Sequence, residues 1–309
     1  MDELIAKARV LIEALPYISE FRGKKVVVKI GGVAQEDPVL RRRFAEDLIL
    51  LDWVGIDLIV VHGGGKQITR MLDRVGQEAR FVDGQRVTDA ATLEVVEMVL
   101  GSLNQELVRL VNHLGGAAVG LTGCDGGLAR AAITRPELGL VGDVTTIDRT
   151  LLDRLVTDFI PVIAPLAVGA GGQALNVNAD VFAARLAQAL GAEKLVLLTD
   201  IAGVLDRDRK LIPTLTDGEA RRLIADGVIA GGMIPKVENA LSALAGGVGK
   251  VHVIDGRLEH ALLLEIFTQE GVGTQLVPGP DPSPASSSAS ASSSAFVSAT
   301  ASVPSRSAP

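Results

Sequence analysis

Apolar residues fall along this chain in two alternating patterns. Short runs of branched aliphatics occupy 25–30 (KVVVKI), 57–62 (DLIVVH), 117–121 (AAVGL), 159–165 (FIPVIAP), 194–200 (KLVLLTD) and 250–255 (KVHVID). Near-continuous runs of this length suit strands covered on both faces. Between them the apolar positions recur with helical period: Leu40, Phe44, Leu48 and Leu51, then Ile68, Met71, Leu72 and Val75, then Leu93, Val96, Leu100 and Leu103. A further helical pattern runs from Val181 to Leu190, and another carries Val237, Ala240, Leu241 and Leu244. Strands alternating with helices predict an α/β protein with a mainly parallel sheet and helices on both faces. Ahead of the first strand, residues 1 to about 20 read as an amphipathic helix. Its stripe is Leu4, Ile5, Ala8, Leu11, Ile12 and Leu15, with Pro16 following. Such a helix either packs on its own domain or is offered to another subunit.

Two of the strands end in glycine. Gly63, Gly64 and Gly65 separate the run 57–62 from a helical stripe, and Gly31 and Gly32 follow Ile30. In open α/β sheets this strand-to-helix edge is where ligands bind. Glycine brings backbone N–H groups close to whatever sits there, and at a helix start those donors suit an anion. Lys29 lies within an apolar strand, an expensive place for an ammonium unless it meets a negative charge. A tight turn with close packing would use the same glycines, and a lysine can also snorkel from a strand end. Neither turn has P-loop spacing, since Gln67 follows Lys66, and neither fits G-x-G-x-x-G.

Two later stretches add polar chemistry. In ALNVNADVFAARLAQAL, Asn176, Asn178 and Asp180 precede a helical pattern, and any of the three could cap it. In GGMIPKVENAL, Gly231 and Gly232 precede Pro235, a helix-start signal, and put Lys236 at the anion-binding end.

Composition narrows the classes. The chain has 309 residues, 48% hydrophobic and 22% charged, with a formal net charge of −7. That balance fits a globular enzyme-sized body and gives no electrostatic footprint for nucleic acid. Cys124 is the single cysteine, so no internal disulfide forms, in keeping with a reducing compartment. No stretch reads as a signal peptide or a membrane span, and a cytoplasmic location is expected. After Val277 the chain turns to Ser, Ala and Pro, and residues 279–309 are expected to form a disordered tail.

Taken together, VVVKIGG, VVHGGGKQI, DGQRVTDAATLEVVEMVLGSLN, LNVNAD, LTDIAGV and GGMIPKVENA resemble the acetylglutamate kinases of the amino acid kinase family. The resemblance runs from about residue 4 to 277, and GQRVTD separates this group from aspartokinases, uridylate kinases and carbamate kinases. It implies a three-layer αβα fold with an acceptor-binding lobe (21–190) and a nucleotide-binding lobe (191–278), preceded by an oligomerisation helix (1–20). The implied reaction moves the γ-phosphoryl group of ATP onto the side-chain carboxylate of N-acetyl-L-glutamate, the second step of arginine biosynthesis. A carboxylate acceptor is already ionised near neutral pH, so the obstacle is bringing two anions together rather than removing a proton.

By the same resemblance Lys29 and Lys236 approach the phosphoryl group from two sides, and Asp180 holds both. Gly31, Gly32, Gly63 and Gly64 supply N–H donors, while Gly64 and Gly65 border the acceptor. Arg86 takes the acceptor's α-carboxylate, with Asn176 and more weakly Asn178 on its other substituents. Thr199, Asp200, Gly203 and Gly232 line the nucleotide side, and magnesium arrives with ATP rather than in a protein cage. Three positions depart from the usual pattern: Lys66 stands where proline is common, Val33 where asparagine is, and Cys124 where lysine is. His62, at a strand end, is expected to make hydrogen bonds there rather than to act as an acid–base catalyst.

The N-terminal helix and LEHALLLEIFTQEGVGTQLV further resemble arginine-inhibited members. That implies a hexamer built as a trimer of dimers, and an arginine site that uses Glu265, Gly271, Lys210 and Tyr17. A PII-type signalling protein is a partner of some members. Two other readings stand beside this one. A kinase of the same fold could act on an aminoadipate-type acceptor, a difference of one methylene worth about 1–3 kcal/mol. A non-catalytic arginine or nucleotide sensor would have no use for two lysines held by one acid.

Overall fold

The structure, a computed structural model, describes residues 2–268 and 271–279. The Ser/Ala/Pro tail beyond Gly279 lies outside the described residues.

Helix α1 (Asp2–Phe21) leads into β1 (Lys25–Ile30), the single-turn helix α2 (Val33–Glu36) and α3 (Pro38–Trp53). Then come β2 (Asp57–His62), α4 (Gly65–Arg74), the short hairpin β3 (Phe81–Val82) and β4 (Gln85–Arg86), and the long α5 (Ala90–His113). The middle of the chain holds β5 (Ala118–Thr122), β6 (Ala129–Ala132), β7 (Asp143–Ile147), α6 (Thr150–Leu155), β8 (Ile160–Ala164), β9 (Leu166–Val168) and β10 (Ala174–Asn176). The remainder is α7 (Ala179–Leu190), β11 (Lys194–Thr199), β12 (Thr214–Thr216), α8 (Asp217–Ala225), α9 (Met233–Ala245), β13 (Lys250–Asp255), α10 (Ala261–Phe267) and β14 (Gly273–Val277).

Eight strands form the main sheet in the order β12-β14-β13-β11-β1-β2-β8-β5, parallel throughout except where β14 runs against β13. The six aliphatic runs form its centre and one flank. A four-stranded sheet, β10-β9-β6-β7, lies beyond them; its short, small-residue strands carry no long apolar run in the sequence.

Alternation along the strands sorts the core into two halves. Val27, Ile59, Val61, Leu195, Leu197 and Val253 face α7 and α9, packing on Phe182, Leu186, Val237 and Leu241. Val26, Val28, Ile30, Leu58, Val60 and Val196 face the opposite way, onto Phe44 and Leu48 of α3, Leu107 of α5, and Leu262 of α10. The result is an αβα sandwich of three layers, and it explains why each central strand reads as continuously apolar. Local signals fix the helix ends. Asp37 caps α3 through the N–H groups of Val39 and Leu40, with Pro38 at the first position, and Thr216 and Glu219 make a reciprocal capping box on α8. Pro16 sits inside α1, which continues for another turn and more to Phe21.

The two-faced alternation sets the chemistry as well. Lys29, two residues beyond Val27, belongs to the face covered by α7 and α9. His62 pairs in register with Ile30 and shares the face covered by α5.

Candidate active site

Four helices begin at the C-terminal edge of the sheet: α2 after β1, α4 after β2, α7 after β10, and α9. A helix N-terminus leaves backbone N–H groups without internal partners and carries positive dipole charge, so this edge is predisposed to bind anions. A cavity of about 320 Å³ opens there, with Lys29, Gly31, Gly32, Gly63, Gly64, Gly65, Arg86, Asn176, Asn178 and Asp180 on its wall. Thr199, Gly203, Gly232 and Lys236 lie off that wall, and Lys236 joins the site through Asp180.

Asp180, in the first turn of α7, lies between the two lysines. Its Oδ2 accepts a hydrogen bond from Lys236 Nζ at 3.0 Å, and its Oδ1 is 2.9 Å from Lys29 Nζ. The second contact is an ion pair rather than an aligned hydrogen bond. Burial alone would raise the Asp180 carboxyl, but the two ammonium groups outweigh it and hold the group well below the usual carboxylate range. The anion that Lys29 requires inside an apolar strand is therefore Asp180, and the trio carries one net positive charge. Asn178, not Asp180, caps α7, accepting from the N–H groups of Asp180 and Val181.

The β1 turn needs glycine for two separate reasons. A Cβ on Gly31 would come within 2.7 Å of Lys29 Nζ, blocking the lysine's path. Gly32 has φ of +61°, and a Cβ there would fall 2.0 Å from Asp200 Oδ1. That close approach lets the Asp200 carboxylate accept the Val33 N–H at 2.7 Å, tying the segment after β11 to the start of α2. Lys66 bridges the same region, 3.0 Å from Glu36 and 3.7 Å from Asp200. At the β2 turn, the Gly63 N–H is already donated to the Ile30 carbonyl at 2.9 Å. It is not free for a ligand as expected from the sequence, because β2 continues to pair with β1 through that residue. The donors left at this turn are those of Gly64 and the first turn of α4.

Arg86, 8% exposed, occupies the opposite wall. Its Nη2 donates to the Gly65 carbonyl and Thr69 Oγ1, each at 2.8 Å, and Phe81 stacks on the guanidinium at 4.8 Å. Its Nη1 is buried with no hydrogen-bond partner among the described residues. A guanidinium held on one edge and unsatisfied on the other keeps a planar face of donors open, the geometry that matches a carboxylate. Asn176 points its Nδ2 to Thr88 Oγ1 at 3.2 Å, which places its amide beside Arg86.

His62 donates from Nδ1 to the Gly63 carbonyl at 2.8 Å and accepts from Asn104 at Nε2. Burial drives its pKa down to about 4, so the ring is neutral near pH 7 and committed on both sides. Thr199 is also committed, its hydroxyl bridging to the Ile201 and Ile254 carbonyls, while Gly203 packs against Thr274. Gln35, Asn104 and Glu36 carry no mark in the sequence that separates them from solvated polar residues, since Gln35 adjoins Glu36 and Asn104 adjoins Gln105.

A second cavity, of about 570 Å³, brings Tyr17, Glu265 and Gly271 together with Phe21, Lys194 and His252. Lys210 is not brought to it; its backbone N–H turns back onto Asp206. His252 Nδ1 donates to Glu265 in a buried contact, and the Val272 N–H adds a bond at 2.9 Å to the same carboxylate. Burial would raise Glu265, but His252 reverses this and lowers it. Burial lowers both Lys194 and His252, with Glu265 opposing in each case. His252 Nε2 is buried without a partner among the described residues, and Lys194 sits 4.3 Å from the Phe21 ring. His252 and Lys194 were visible in the sequence only as polar residues interrupting apolar strands.

Comparison with known proteins agrees with this geometry. Residues 24–255 match the amino acid kinase family. The chain is 54% identical over 284 residues to the acetylglutamate kinase of Acinetobacter baumannii, covering 87% of this chain and 94% of that one. The acetylglutamate kinase of Geotalea uraniireducens is 50% identical over 291 residues, covering 90% of this chain and all of its own length. Among solved structures, the N-acetylglutamate synthase of Neisseria gonorrhoeae, complexed with coenzyme A and N-acetyl-glutamate, superposes with a TM-score of 0.81 at 28% identity. That match covers 88% of this chain but 64% of the synthase, so the chain spans under two thirds of that protein. Carbamate kinase from Giardia lamblia shares the fold, with a TM-score of 0.62 at 14% identity. This chain is a kinase of the amino acid kinase family and belongs with its acetylglutamate kinases.

Proposed function

We propose that the protein transfers the γ-phosphoryl group of ATP to the side-chain carboxylate of N-acetyl-L-glutamate, giving the acyl phosphate and ADP. The observation that carries this reading is the pairing of the Lys29–Asp180–Lys236 trio with the unsatisfied Arg86 Nη1 across one small cavity. Arg86 holds the α-carboxylate of the acceptor, and Asn176 beside it takes the acetamido side. The distal carboxylate is then directed at the lysines. One of its oxygens attacks the γ-phosphorus as the bond to the ADP oxygen breaks, and the charge that moves from acceptor to leaving group stays between fixed cations. No proton has to be removed, which agrees with a site where His62 is committed on both nitrogens.

Lys29 and Lys236 act by charge, and Asp180 keeps both ammonium groups in place. Gly31, Gly32 and the Gly64 N–H add backbone donors, Gly65 borders the acceptor, and Thr199, Asp200, Gly203 and Gly232 belong to the nucleotide side. Magnesium carried by the nucleotide would neutralise phosphate charge, as a hard and well-hydrated cation does when it keeps phosphate and water oxygens as ligands. The test is direct. Purified protein with ATP, magnesium and N-acetyl-L-glutamate should yield hydroxamate when hydroxylamine traps the acyl phosphate; no product above background defeats the reading. Competition between N-acetylglutamate and its aminoadipate homologue decides the acceptor.

Arginine inhibition belongs to the same proposal. The second cavity offers the Glu265 carboxylate to a guanidinium, with Tyr17 and Gly271 beside it. The related gonococcal synthase has been solved with coenzyme A and L-arginine. Exposed Ile5, Ile12 and Leu15 on α1 supply the apolar surface for assembly into a hexamer. Removing residues 1–20 should give a smaller oligomer by light scattering and weaker inhibition; unchanged mass would sink the assembly.

A further inference from the structure

We infer that Gln35 and His62 are positioning residues that aim the Gly64 N–H at the transferring phosphoryl group, an inference that rests on the kinase reading above. The Gly63 carbonyl accepts two hydrogen bonds, from His62 Nδ1 at 2.8 Å and from Gln35 Nε2 at 3.0 Å. Both lone pairs of that oxygen are thereby used. Both donors are buried, Gln35 at 5% and His62 at 1% exposure, so the carbonyl is drawn into the protein. The Gly63–Gly64 peptide is planar and trans, which sets the Gly64 N–H antiparallel to that carbonyl. It therefore faces the other way, toward the cavity on whose wall Gly64 lies. Among the described residues this N–H donates to no carbonyl or side chain.

The tether answers a weakness of the glycine turn. Between two glycines a peptide plane can rotate at little steric cost. Rotation by half a turn would present a carbonyl oxygen, instead of a donor, to an anionic phosphoryl group. The Gly63 N–H, donated to Ile30, fixes the plane before it, and the two donors on the Gly63 oxygen fix the plane after it. His62 is itself oriented by Asn104, whose Nδ2 also donates to the Val162 carbonyl at 2.8 Å. Gln35 comes from α2, so it also locks the turn that carries Gly31 and Gly32 to the turn that carries Gly64. The two halves of the donor array are thus held in one register.

Gln35→Met keeps the length and removes the donor, and Gln35→Leu removes it with a shorter apolar side chain. In both, kcat should fall about tenfold or more, with KM for ATP and for acceptor changed less than about twofold. The affinity for ADP with tetrafluoroaluminate, which mimics the phosphoryl group in transfer, should fall by the same factor, while that for ADP alone is kept. Combining Gln35→Met with His62→Gln should cost less than the product of the two single effects, because both act on one carbonyl. Thermal unfolding identifies the folded variants, and Gln35→Leu serves if Gln35→Met does not fold. Wild-type kcat and tetrafluoroaluminate affinity in a folded variant overturn the inference. So does a loss shared equally by ADP alone, which marks a generally disordered turn. If the wild type makes no acyl phosphate, the kinase reading fails, and the tetrafluoroaluminate comparison still decides this inference.

Discussion

The two cavities sit at opposite edges of one sheet and bury their charges differently. The first lies where parallel strands end and α2, α4, α7 and α9 begin, with Lys29 and Lys236 on Asp180, Lys66 on Glu36, and Arg86 on the opposite wall. The second lies where strands begin, with Lys194 opening β11 and Lys250 opening β13, and where α1 and α10 end. Its acceptor is Glu265, set among helix C-termini that favour a cation. A parallel α/β sheet therefore has a polarity: helix N-termini gather at one edge and helix C-termini at the other.

Removing the charge at the first edge should have the largest effect. Lys29→Ala is expected to lower kcat by roughly two to three orders of magnitude in the hydroxamate assay; a loss under tenfold would remove the lysine from the chemistry. Arg86→Lys keeps the charge but not the fork, and should raise the acceptor KM by up to about a hundredfold while sparing that for ATP. A rise in both equally would place Arg86 outside the acceptor site.

The pH dependence of stability sharpens the same edge. His62 titrates near pH 4 in the folded protein, below its ordinary 6.5, so between those values the unfolded chain binds the extra proton. Its contribution is complete above pH 6.5 and is lost as the pH falls toward 4. Asp47, raised by burial to about 6 against the opposing pull of His260, acts in the opposite sense. Comparison with His62→Gln isolates the histidine: from pH 7 to pH 5 the wild type should lose about 2 kcal/mol more in urea unfolding. Parallel curves would mean that the ring is not held neutral. At the second edge, Glu265→Gln should raise the arginine concentration for half-inhibition by about tenfold, and an unchanged value would move the inhibitor elsewhere.

The central strands and the glycine turns were readable because burial on both faces leaves an unbroken aliphatic run and a sharp turn leaves glycine. The small sheet was not, since strands such as ALN in β10 and ARAA in β6 have neither length nor pattern. Lys29 announced itself as a charge in the wrong place, but its partner lies on a helix far along the chain, and only the resemblance paired them in advance. Gly63 was assigned a free donor that the β1–β2 ladder in fact consumes.

The sequence by itself determined the layer order, the two glycine edges and the residue types that any anion-transfer site here must use, because periodicity and steric demand are local properties. Tertiary structure decided which N–H groups remain free, which way the Gly63 peptide faces, and that Asp180 answers two lysines while Asn178 caps the helix. Those outcomes depend on distances between residues far apart in the chain, which local pattern does not encode.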